Sequence, residues 1–155
     1  FAFVSGEKGS STSRDREQGF VGKLNEENLD LAMRYDGDFT YESGYAAAKY
    51  LLDRKNRPDA IFCANDLMGM AVLDYAKRQL NINIPKDLAV IGFDDTPMAS
   101  WPEYQLSTIH QPISRMVEAT ILRLMNAIHS PGDETIIKKI RGSIAKRTST
   151  RNKLK

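Results

Sequence analysis

An α/β fold with a parallel sheet flanked by helices is predicted by three observations. Four short apolar runs, FAFV, LAMRY, AIFCA and LAVIGF, have the length and composition of strands buried on both faces. Segments with helical spacing separate them, which gives three βα units before the fourth strand and right-handed crossovers between parallel neighbours. The stretch from Arg57 to Asp95 reads strand, helix, strand, and each strand ends in a polar pair, Asn65-Asp66 and Asp94-Asp95. Parallel sheets seat ligands beyond the carboxyl ends of their strands, so these pairs mark a candidate binding site.

The first element is FAFVSG, a strand running into the polar loop EKGSSTS. A helix is expected from Ser13, with Ser13 as its cap, Phe20, Val21 and Leu24 as its apolar stripe, and Arg14 and Arg16 in its first turn. Positive charge there opposes the helix dipole, so the two arginines are either solvated or met by a partner or ligand. LAMRY, residues 31–35, is the second strand, and DGDF turns into a helix capped by Thr40 or Asp38, with Tyr45, Ala48, Leu51 and Leu52 on its apolar face. Phe39 in that polar turn is a core plug or a flat face for a ligand, and the residues alone favour the core.

Pro58 stops this helix, AIFCA is the third strand, and Asn65 and Asp66 cap the helix DLMGMAVLDYAKRQL. Met68, Val72, Tyr75 and Ala76 form its inner face, leaving Met70 and Leu73 for a neighbouring surface. LAVIGF ends at Asp94-Asp95, a pair that fits a metal or phosphoacceptor site, a catalytic dyad or an anchor for sugar hydroxyls. The anchor requires the fewest additional groups. Met98, Trp101 and Tyr104 in the next irregular segment belong to a partner surface or to the core. LSTIHQ resumes extended structure, and Pro112 opens a helix that ends near Ser130-Pro131-Gly132. TIIKKIRGSIAKRTS alternates like an edge strand, and RNKLK reads as a frayed tail.

The composition narrows the function. A length of 155 residues, 41% apolar and 27% charged, suits one globular domain, and 22 basic against 20 acidic side chains give no strong field for nucleic acid. One cysteine, Cys63, lies inside an apolar strand, so no disulfide framework exists and a reducing cytoplasm is the expected compartment. No apolar run reaches the roughly 20 residues a membrane helix needs. The chain opens on Phe1 within an apolar run, as expected of a piece cut from a longer protein. There is no Gly-x-Ser-x-Gly, phosphate loop or Gly-x-Gly-x-x-Gly, and His110 and His129 lack metal-ligand companions. No enzyme activity, cofactor or metal is expected.

Taken together, FAFVSG with SSTSRDREQGF, the turn DGDF, PDAIFCANDLMGMAVL, NIPKDLAVIGFDD, LSTIHQPI and AKRTST resemble, in order and spacing, the effector-binding domain of the lac repressor (LacI/GalR) family of bacterial transcription regulators. The resemblance covers nearly the whole chain. It implies a two-lobed, type I periplasmic-binding-protein-like fold that clamps an effector between its lobes. On this reading residues 1–110 are the C-terminal lobe, 111–142 pack on an N-terminal lobe that precedes Phe1, 143–150 are the final strand and 151–155 a tail. The resemblance also implies the ligand-binding residues. Arg16 matches the helix arginine that hydrogen-bonds the effector, Asn65 and Asp94 the two strand-end anchors, and Gln111 the crossover residue between lobes. Phe39 matches an aromatic position that stacks on a sugar or purine ring, which reverses the core-plug reading.

A homodimer is implied too, with Met70, Leu73, Met98 and Trp101 as interface candidates. The implied function is an allosteric switch that senses a sugar, sugar phosphate or purine and relays its presence to a helix-turn-helix outside this chain. The alternative is a periplasmic sugar-binding protein of a transport system, which shares the fold.

Overall fold

The computed structural model describes residues 1–129 and 137–151. Its elements follow the expected alternation. Strand β1 (Ala2–Val4) leads to α1 (Ser11–Glu26), β2 (Met33–Tyr35) to α2 (Tyr41–Leu52), and β3 (Ala60–Cys63) to α3 (Asp66–Arg78). After these come β4 (Ala89–Asp94), a 3-10 turn (Pro97–Ser100), β5 (Ser107–His110), α4 (Ile113–His129) and β6 (Ser143–Ala145). The six strands form one sheet in the order β2-β1-β3-β4-β5-β6. All neighbours are parallel, as expected, except β5 and the edge strand β6, which run antiparallel.

Side-chain alternation splits the sheet into two faces. Ala2, Val4, Ile61, Cys63 and Val90 point to one face, where α2 and α3 complete a core with Leu51, Met68, Val72 and Leu73, all essentially inaccessible to water. Phe3 and Phe62, paired in register, point to the other. There α1 lays Phe20 across them, with ring centroids 5.9 Å from Phe3 and 5.0 Å from Phe62. Each such buried side chain contributes on the order of 2 kcal/mol by removal from water.

Helix caps position the strand-to-helix turns. Ser10 caps α1 by accepting from the Ser13 amide, Thr40 caps α2 by accepting from Ser43, and Asn65 caps α3 by accepting from Met68. The cap of α1 therefore lies three residues before the serine expected. Ser13 is instead buried, and its Oγ accepts from the Gly6 amide at 2.8 Å, tying the helix to the end of β1.

Two boundaries near the C-terminus differ from expectation. The final strand is limited to Ser143–Ala145. Ser149 then turns inward and wedges between β4 and β5: its backbone carbonyl accepts from the Val90 amide, its hydroxyl donates to the Val90 carbonyl, and that same hydroxyl accepts from the Ser107 amide. Residues 137–142 carry no strand. The expected end of α4 at Ser130-Pro131-Gly132 lies outside the described residues, as do Thr135 and Ile136 of the expected edge strand and residues 152–155 of the tail.

Candidate functional site

All five residues expected to bind ligand meet along the carboxyl edge of the sheet. Asp94 closes β4, and Arg16 reaches it from the second turn of α1, with a guanidinium nitrogen 3.1 Å from Asp94 Oδ1. The same guanidinium donates to the Ala64 carbonyl at 2.5 Å and lies 3.9 Å over the Phe93 ring. Gln111, the first residue beyond β5, donates from Nε2 to Asp94 Oδ1 at 2.7 Å. One carboxylate oxygen thus gathers groups from α1 and from the exit of β5.

The second half of the site is the turn before α2. Phe39 has a positive φ of 70°, a region unfavourable for a bulky residue, and its carbonyl accepts from Asn65 Nδ2 at 2.9 Å. Its ring lies over Gly6, where an ideal Cβ would stand 2.0 Å from Phe39 Cζ. The ring is half-buried and packs against the rim of the core. Asn65 serves as cap and turn clamp at once. Its carboxamide keeps one N–H and one lone pair for a further partner. The bond from Arg16 to Ala64, the residue before Asn65, joins the two halves.

The electrostatics suit a neutral polar ligand. The side chains of Arg16 and Asp94 are 12% and 30% exposed. Burial lowers the Arg16 pKa and raises that of Asp94, and the attraction of each for the other opposes the shift. Their charges cancel locally, so the site offers fixed donors and acceptors with no surplus charge.

The acids beside the two anchors face elsewhere. Asp66 is fully buried and accepts from the amide and hydroxyl of Thr96 and from Thr108 Oγ1, so burial pushes its carboxyl up while these donors pull it back. Asp95 contacts Arg147 at 2.6 Å and His110 at 2.9 Å. Burial of Asp95 pushes its carboxyl up, but Arg147 and then His110 outweigh this and hold it below the usual carboxylate range. Asp94 and Asp95 have φ angles of 116° and 57°, and this pair of left-handed residues turns their carboxylates to different partners. Such backbone conformations cost roughly 1–3 kcal/mol each and persist only where surrounding contacts enforce them. Phe93, Gly6, Ser13 and Arg147 were missing from the residues expected at the site. The phrase GFDD identifies Phe93 as its neighbour, but no spacing rule brings Arg147 to Asp95.

Two of the expected interface residues are corrected. Met70 and Leu73 are 2% and 0% exposed and belong to the core, because α3 is flanked by α2 and by the segment after β4 as well as by the sheet. Met98 and Trp101, at 36% and 52%, do stand at the surface. Among the described residues, no group of three or more His, Cys, Asp or Glu side chains is placed to hold a metal, and no helix is long and apolar enough to cross a membrane.

Comparison with known proteins gives one consistent result. A family model for the periplasmic binding protein-like domain matches residues 1–150. The chain is 33% identical over 148 residues to the HTH-type transcriptional repressor PurR of Serratia proteamaculans, which covers 94% of this chain and 43% of that protein. It is 36% identical over 133 residues to the PurR repressor of Yersinia enterocolitica, covering 84% of this chain and 39% of that protein. The chain thus spans less than half the length of these relatives. Among solved structures, the CelR regulator in complex with cellobiose matches with a TM-score of 0.87 at 31% identity, over 96% of this chain and 46% of that one. A LacI transcriptional regulator from a Rhodococcus species matches with a TM-score of 0.87 at 27% identity, over 96% and 55%. The chain belongs to the periplasmic binding protein-like domain family, in the form found as the effector-binding domain of LacI-family regulators.

Proposed function

We propose that this chain is the effector-sensing and dimerisation part of a LacI-type transcription regulator, and that its effector is a neutral sugar or similar polyol. The observation that carries this reading is the convergence of Arg16, Asp94 and Gln111 beside Phe39 and Asn65. A sugar ring offers one apolar face and several hydroxyls, which an aromatic side chain and a set of fixed donors and acceptors complement. The internally neutralised Arg16–Asp94 pair disfavours a phosphate, which needs an unpaired cation. Relatives named as repressors, and one solved with cellobiose, favour a regulator over a transport protein.

The edge of the sheet is half of a cleft. Residues 111–142 cross to a second lobe, against which α4 packs, and the effector sits between lobes. It acts by binding one lobe arrangement more tightly than the other, a coupling of roughly 1–3 kcal/mol. The switch works in a cytoplasmic homodimer, with Met98 and Trp101 on the partner surface, and reaches operator DNA through a helix-turn-helix outside this chain.

The test is a thermal-shift screen of the full-length protein against cellobiose, glucose, galactose, glucose 6-phosphate and guanine. A neutral sugar is expected to raise Tm, and Asp94→Ala to abolish that rise. A shift by guanine or the phosphate alone overturns the choice of effector class, and a full shift in Asp94→Ala removes Asp94 from the site.

A further inference from the structure

The least explained charged group near the site is Asp95. Its neighbour Asp94 faces Arg16 and Gln111, whereas Asp95 faces His110, where the chain leaves the sheet after β5, and Arg147, just past β6, where the returned chain runs back beside the start of β5. His110 is the last residue of β5, and its Nδ1 lies 2.9 Å from Asp95 Oδ2. Arg147 follows β6 by two residues, and its guanidinium donates to Asp95 Oδ1 at 2.6 Å. Arg147 is itself fixed on three sides, donating from its guanidinium to the Leu106 carbonyl at 2.7 Å, from its backbone amide to Ser107 Oγ at 2.8 Å, and accepting from Ser107 Oγ at its carbonyl. The Asp95 amide donates to Thr108 Oγ1, which holds the turn over the middle of β5.

The geometry points to Asp95 as a positioning residue: a carboxylate clamp that fixes the outgoing and returning chain to each other and to the Asp94 turn. The pairing of β5 with β6 covers only Thr108 to His110 against Ser143 to Ala145, three residue pairs at the open edge of the sheet. So short an edge pairing holds its register weakly without added contacts. Asp95 supplies them from the adjacent strand's loop. Asp94 and Asp95 share one peptide bond and two left-handed backbone conformations, so the contacts that hold Asp95 also hold the backbone that carries Asp94. The inference rests on the reading that residues 111–142 pass through a second lobe, since only then do β5 and β6 carry the chain out to that lobe and back.

The test is hydrogen–deuterium exchange on the full-length protein without effector, comparing the natural sequence with Asp95→Asn, Arg147→Gln and the double variant. Either single change is expected to speed exchange in peptides spanning 107–111 and 143–147 by about tenfold, with the α3 peptide 66–78 unchanged. The double variant should exchange faster than either single one but by less than the product of the two effects, because they share the Asp95–Arg147 contact while each also loses one of its own, to His110 or to the Leu106 carbonyl. Asp95→Glu, which keeps the charge, should restore much of the protection. Unchanged exchange at both crossings overturns the clamp, as does an equal acceleration in α3, a fully additive double variant, or the absence of rescue by glutamate. Because no effector is used, a failed sugar screen leaves this result standing, and unchanged exchange leaves the sugar screen standing.

Discussion

Gly6 holds the aromatic wall of the site in place by having no side chain. An added Cβ there would stand within 2.4 Å of three atoms of the Phe39 ring, and the ring, at the end of a two-torsion side chain, can swing away. Gly6→Ala is therefore expected to cost only about 1 kcal/mol of stability, yet to remove most of the sugar-induced rise in Tm. Urea unfolding beside the thermal-shift assay separates these two effects. Asp95 makes a second single-residue prediction, through pH. Its carboxyl is held below its ordinary value by Arg147 and His110 against the opposing effect of burial. A depressed carboxylate contributes stability that is fully present above the unfolded value of about 3.9 and is lost as pH falls through the folded value. The stability difference between the natural protein and Asp95→Asn should accordingly shrink as pH falls below about pH 4, as urea titrations across that range would show. Asp94 runs the opposite way, since burial raises its value and its ionised form becomes a burden as pH rises.

Helix α3 shows how packing reassigns residues that look available on a helical wheel. A helix lying on a sheet with one free side would leave Met70 and Leu73 outward. Here α2 closes one flank, where a Cβ on Gly44 would come within 2.5 Å of the Met68 backbone, and the segment after β4 reaches the other, where Lys77, two turns on from Met70, donates to the Glu103 carbonyl and Tyr104 to Asp74. Met70→Asp should then act on folding, destabilising by about 3 kcal/mol or more because an unpaired carboxylate enters the core. Trp101→Ala should leave unfolding nearly unchanged and weaken self-association, measured by sedimentation of the full-length protein; retained self-association would take Trp101 out of the partner surface. The short loops that carry the site are set by caps instead of by hydrophobic contact. Ser10, Thr40 and Asn65 each accept an amide three residues on. Sequence pattern names Asn65 for α3 and Thr40 or Asp38 for α2, but it names Ser13 for α1, and the docking of Ser13 on Gly6 leaves that cap to Ser10.

Among the described residues, the chain divides into a packed sheet and one helix, α4, that buries none of its residues. Along α4, Ile113, Val117, Ile121, Leu124 and Ile128 form a stripe at helical spacing, each 49% to 66% exposed, and no residue of the helix is buried. Such a stripe is the seam of a helix that packs on something. The 155-residue chain alone should bind an apolar dye strongly. The paired change Ile121→Glu and Leu124→Glu should lower that fluorescence severalfold while near-ultraviolet circular dichroism of the sheet core stays the same. Dye binding unaffected by the pair would mean that the exposed apolar surface lies elsewhere.

Local pattern alone determined the alternation of strands and helices and the polar strand ends at Asn65 and Asp94. Each of these depends on periodicity or on residue type at a turn, which neighbours in sequence express directly. Arg16, Phe39 and Gln111 entered as site residues through family resemblance, since nothing in their own surroundings points to Asp94 or Asn65. Only the tertiary structure decided that Met70 and Leu73 lie inside, that Ser13 anchors a loop instead of capping a helix, and that Asp95 meets Arg147 across 52 residues of chain. These depend on which elements lie side by side once the sheet has formed. That adjacency is a property of the packed whole, which no window of sequence contains.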